Sequence, residues 1–133
     1  MIKAIIGTKG TGKTKKLIEM VNEAAKTEQG NVVCLEYGDG LKYDISSQVR
    51  LINVKDYNIK GFDAFCGFVK GLLAGNYDIT SLFVDGLLKI TGDDLVKLGE
   101  VLADINNVAG EAKITVLISA DAATAPESVT KFM

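Results

Sequence analysis

Short, largely apolar runs alternate along this chain with longer stretches in which apolar residues recur every three or four positions. Ile2 to Ile6 is the first run, cut off by Gly7; Val32 to Leu35, Ser81 to Asp85 and Ile114 to Ile118 repeat the form. Runs that are apolar on both faces are characteristic of strands buried in a parallel sheet. Val49 to Val54 predicts a further strand, at an edge. Between the runs, Leu17, Ile18, Val21, Ala24 and Ala25 share a helical face, with Lys15, Lys16, Glu19, Glu23 and Lys26 between them. The spacing predicts an amphipathic helix of about 14 residues from Lys13, ended by Gln29-Gly30-Asn31.

Gly61 to Gly75 predicts a second helix, with Phe62, Phe65, Phe68, Val69, Leu72 and Leu73 on its apolar side. Its Gly67 and Gly71 weaken it; being four apart, they would let it pack closely on the sheet. Asp93 to Ala109 predicts a third, with Leu95, Leu98, Val101, Leu102, Ile105 and Val108 on one face. Thr91 or Gly92 would cap it and Gly110 would close it. Pro126 opens a short last helix. Residues 41–48, where Tyr43 and Ile45 alternate with polar residues, predict only a short excursion. Strands alternating with helices indicate an α/β domain, three-layered α/β/α, with a mostly parallel sheet of about five strands and right-handed crossovers.

The chain has 133 residues, enough for a single domain spanning 1–133. Its 47% hydrophobic and 24% charged residues exclude a disordered chain or a coiled coil. The net charge of −2 excludes a broadly basic surface, so nucleic acid is not indicated as a partner. Histidine is absent, which removes imidazole catalysis and His metal ligation. Cys34 and Cys66 lack the spacing of a zinc site or a disulfide framework. Two reduced, mostly buried thiols fit a cytoplasmic protein. No apolar run approaches the ~18 residues of a membrane span, and Ala4-Ile5-Ile6 is too short for a signal-peptide core. All but one of the 15 basic residues are Lys; the exception is Arg50.

Gly7-Thr8-Lys9-Gly10-Thr11-Gly12-Lys13-Thr14 fits G-x-x-x-x-G-K-[ST] at every position. It follows an apolar strand and opens an amphipathic helix, as its chemistry requires. Glycines let the chain curl with its N–H groups pointing inward, an anion-binding nest. The helix start adds its dipole and free N–H groups. Lys13 reaches the β- and γ-phosphates, and the Thr14 hydroxyl can ligate Mg²⁺, which needs few protein oxygens. Here the chain resembles the P-loop NTPase superfamily, in this Walker A motif and in its strand–helix order.

The resemblance implies an Asp at the tip of a strand lying beside the phosphate loop, holding Mg²⁺ through water. Leu82-Phe83-Val84-Asp85 matches that Walker B pattern. The Glu that many such ATPases carry next is replaced by Gly86. Glu36, at the end of the strand after the P-loop helix, matches the position of the water-polarising Glu of RecA-like ATPases; Asp39 is a weaker candidate in the same loop. Ser119 resembles the polar sensor residue at the end of the last strand. The GTPase base-reading N-K-x-D is absent, and one Arg is few for a nucleotide kinase, which clamps phosphates with several.

The resemblance therefore implies ATP and Mg²⁺ as ligands and a slow or partner-stimulated ATPase of the RecA-like side. A small-molecule or nucleotide kinase, or a non-hydrolysing nucleotide-dependent switch, are the alternatives. A second copy of the chain or another protein is the kind of partner such a module would have, and Arg50 could then act as an arginine finger on a neighbouring subunit.

Overall fold

A computed structural model describes residues 1–133. Five strands form one sheet: β1 (Ile2–Gly7), β2 (Asn31–Glu36), β3 (Arg50–Asn53), β4 (Ile79–Val84) and β5 (Lys113–Ser119). Their order is β1-β5-β4-β2-β3, and every neighbouring pair is parallel. The helices are α1 (Lys13–Thr27), α2 (Phe62–Gly75), α3 (Leu87–Thr91), α4 (Leu95–Val108) and α5 (Glu127–Thr130). A 3₁₀ turn at Val54–Tyr57 follows β3.

The strands separate two cores. Along β2, Val33 and Leu35 enter one core of 22 buried residues, and Val32 and Cys34 enter another of 10. This alternation is why the strand must be apolar at every inner position. The larger core takes residues from α2, α3, α4 and α5. The smaller is covered by α1 and by the irregular segment 41–49, which buries Leu41, Ile45 and Val49. Asn22 on α1 holds that segment: its side-chain amide donates to the Asp44 carbonyl (2.9 Å) and its side-chain oxygen accepts from the Ser46 N–H (2.8 Å). The architecture is therefore α/β/α with a thin layer on one face.

Several local features differ from the sequence-based expectations. The sheet is wholly rather than mostly parallel. Asp94, not Thr91 or Gly92, caps α4, its carboxylate accepting from the Lys97 N–H at 3.1 Å. Thr91 instead ends α3, a one-turn helix that the pattern did not separate from α4. Val108 is 51% exposed, because it lies at the last residue of α4 beyond the packed turns. Gly67 and Gly71 lie on the exposed face of α2, with no atom near enough to meet an added Cβ. The close helix contact is elsewhere. A Cβ on Gly99 of α4 would lie 2.7 Å from Ser128 Cβ on α5.

Strand β1 is an edge strand, and β5 is its only partner in the sheet. Its outer side is partly closed by distant residues. The Ile2 N–H donates to Asn106 Oδ1 (2.9 Å) and the Ala4 N–H to the Phe132 carbonyl (2.7 Å).

Gly99→Ala is expected to destabilise the protein by about 1–3 kcal/mol, the usual effect of an added methyl at a close-packed contact. Equilibrium denaturation in urea reads the change, and an unchanged midpoint would show that α5 moves aside freely.

Candidate functional site

Parallel pairing brings the carboxyl ends of all five strands to one edge of the sheet. Gly7 at the end of β1 pairs with Ser119 at the end of β5, and Asp85 and Glu36 stand at the ends of β4 and β2. Ligand sites in open α/β sheets form at this edge.

The loop after β1 is shaped by two left-handed glycines, Gly10 (φ 88°) and Gly12 (φ 80°), a conformation that other residues adopt only with strain. Gly12 delivers the chain into α1, whose first residues are Lys13 and Thr14. Inside the loop the Thr8 carbonyl accepts from Lys13 Nζ (3.0 Å) and from Thr11 Oγ1 (2.9 Å). The Lys13 ammonium is thus folded back over the loop.

A cleft of about 390 Å³ opens beside this loop. Of the residues expected at the site, Lys9, Gly10, Gly12, Lys13, Thr14 and Asp85 line it, as does Ser119. Gly7, Thr8 and Thr11 belong to the loop but do not line the cleft. Glu36 does not line the cleft. It is 4% exposed, and both its carboxylate oxygens accept from the Leu41 N–H, at 3.2 and 3.3 Å. Its role in the structure is to hold the turn after β2. Asp39 is exposed in that turn, and Arg50 is exposed at the start of β3, the opposite end of the strand from the cleft.

The strand carrying Asp85 does not lie directly beside the loop's strand, because β5 runs between β1 and β4. Asp85 nevertheless faces Thr14 across that gap. Burial raises its carboxyl above the ordinary value of 3.8, while Lys89, the Gly86 N–H, Lys13 and the Thr14 hydroxyl pull in the other direction. Burial also raises Glu36; the Leu41 and Gly40 N–H groups oppose that shift, and the charges of Asp85 and Asp39 add to it. Behind them, burial with both carboxylates nearby pushes the Cys34 thiol up to about 12, so it stays protonated.

Four cleft residues were not singled out in the sequence as site candidates: Lys15, Tyr37, Lys89 and Leu117. Gly86, at φ 68°, turns the chain from β4 into α3 and brings Lys89 back over its own backbone. A lysine three places after a glycine has no signal of its own in sequence.

No group of three His, Cys, Asp or Glu side chains is placed to ligate a metal alone. Mg²⁺ does not require one, since it keeps several waters and takes one or two carboxylates plus phosphate oxygens. One raised carboxyl facing one hydroxyl, beside a glycine-rich loop, fits that donor set. No protein-family model matches the chain, and no curated protein matches its sequence.

A carboxyl whose folded pKa is raised takes stability away as pH rises through that value, because the unfolded state then binds fewer protons. Asp85→Asn is therefore expected to raise the melting temperature of the ligand-free protein at neutral pH by a few degrees. The gain should shrink as pH falls below 3.8, where wild-type Asp85 is protonated in both states. Thermal melts across pH check this; a variant less stable than wild type at neutral pH would refute it.

Proposed function

We propose that this chain binds a nucleoside triphosphate, ATP, with Mg²⁺, as a P-loop domain. One observation carries the reading. A loop of left-handed glycines feeds Lys13 and Thr14 into a helix start, and these residues share one cleft with a carboxylate from the tip of β4. The glycine-rich turn with its N–H groups suits phosphate oxygens. Lys13, released from the Thr8 carbonyl, adds a point charge at the β- and γ-phosphates. Thr14 and Asp85 are the side chains that would hold Mg²⁺, which when bound offsets negative charge on the phosphates. Tyr37 and Leu117 supply the cleft's apolar lining.

Hydrolysis in the isolated protein would be slow. Asp85 is the only carboxylate lining the cleft and is committed to the metal position. Glu36, the expected water-orienting residue, is tied to the Leu41 N–H. It could turn to the cleft only if the 37–41 turn rearranged, through nucleotide or a partner. The same tie favours a second reading, a switch whose nucleotide state is read out by that turn.

Calorimetric titration of Mg·ATP tests the first reading. Wild type is expected to bind in the micromolar range. Lys13→Ala should lose about 10- to 100-fold, the worth of a charge-assisted contact. Absence of wild-type binding would refute the reading. Phosphate release should fall well below the ~10 s⁻¹ typical of enzymes. Glu36→Gln should lower it further with ATP affinity within about twofold of wild type; an unchanged rate would remove Glu36 from the chemistry and leave the switch.

A further inference from the structure

We propose that Lys89 is a second phosphate-binding lysine, which contacts the terminal phosphoryl group of the nucleotide and makes the site prefer a triphosphate to a diphosphate. This deepens the nucleotide reading and rests on it.

The first support is position. Lys89 lies on α3, just beyond the tip of β4, and the Gly86 turn folds its stem back beside the Gly86 backbone, within 3.6 Å of where a Cβ would stand. That puts it in the same cleft as Lys13, Thr14 and Asp85, on the side of the cleft reached from β4 rather than from the loop. The loop would cradle the inner phosphates, and Thr14 and Asp85 would hold a Mg²⁺ that offsets charge on the outer ones. A group on the Asp85 side therefore meets the far end of the phosphate chain.

The second support is that Lys89 is unengaged. The two salt bridges of the protein are Lys70–Asp104 and Lys113–Glu28. Lys89 forms neither. It lines the same cleft as Asp85 and is not locked to that carboxylate.

The third support is charge balance. Lys9, Lys13, Lys15 and Lys89 line the cleft against the single carboxylate of Asp85. That excess of positive charge occurs in a chain with net charge −2. A triphosphate supplies the matching anion, and its γ-phosphoryl group is the part that a diphosphate lacks. The one Arg of the chain lies at the far end of β3, so within this chain a lysine must take any such role.

The test is calorimetric titration of ATP and of ADP into wild type, Lys89→Met, Lys89→Arg and Lys13→Ala, with Mg²⁺ and again in EDTA. Lys89 is exposed, and circular dichroism melts verify that each variant is folded. Lys89→Met should lose about tenfold or more in ATP affinity and less than about twofold in ADP affinity. The difference should persist in EDTA, which keeps Asp85's metal out of the comparison. Lys89→Arg should keep the preference for ATP. Equal losses for both nucleotides, or no loss for either, would overturn the role of Lys89 while Lys13→Ala still reports on the site. No nucleotide binding by wild type would overturn the nucleotide reading and this inference with it.

Discussion

The placement of β5 between β1 and β4 fixes the geometry on which the candidate site depends. Neighbouring strands stand about 4.8 Å apart, so the loop's strand and the strand of Asp85 are separated by about 10 Å. That gap is too wide for direct contact between the two backbones. Within the sheet β5 fills it, and beyond the tip of β5 Thr14 and Lys13 reach in from one side and Asp85 from the other. Pairing β1 directly with β4 would close the space in which the cleft stands. The register Gly7–Ser119 keeps the middle strand as long as the loop's strand, so its tip forms the floor of the gap.

The cleft is also where the fold carries unfavourable electrostatics. Asp85 and Glu36 end adjacent strands, and the Asp85 N–H donates to the Leu35 carbonyl at 2.9 Å, which holds the two tips together. Both carboxyls are raised by burial, and the Asp85 charge adds to the rise at Glu36. Perturbed carboxyls in a cleft are a mark of functional sites, because stability alone would favour neutral groups there. The two are handled differently. Glu36 is satisfied internally by the turn it holds, whereas Asp85 remains facing the cleft among lysines.

Much of this architecture is legible in the sequence, for identifiable reasons. The alternating use of two cores makes the inner parts of β2, β4 and β5 largely apolar, so a parallel sheet could be read from Val32–Leu35, Leu82–Val84 and Ile114–Ile118. The glycine loop could be read because its φ values restrict which residues serve there. What could not be read depends on three-dimensional neighbours. Glu36 stands at a strand end as expected, but whether its carboxylate meets the cleft or the Leu41 N–H depends on the path of 37–41. Gly67 and Gly71 carry the same spacing signal as a packed pair, yet the side of α2 they occupy is set by Phe65 and Val69, which turn inward. Lys89 enters the cleft through the single turn of α3, too short to leave a periodic pattern.

The edge position of β1 has a consequence for the order in which the molecule can assemble. The strand that carries the glycine loop is made before the other four, but its only sheet partner runs from Lys113 to Ser119. Contacts between Ile2 and Ile114 close the long loop that contains the other three strands, the kind of pairing that comes late and slows folding. Strands β2, β3 and β4 can pair among themselves before β5 exists, whereas the loop has no seat until β5 has joined β4. A chain still emerging from the ribosome therefore carries an unformed loop, and competence to bind at this edge arrives only with the completed sheet.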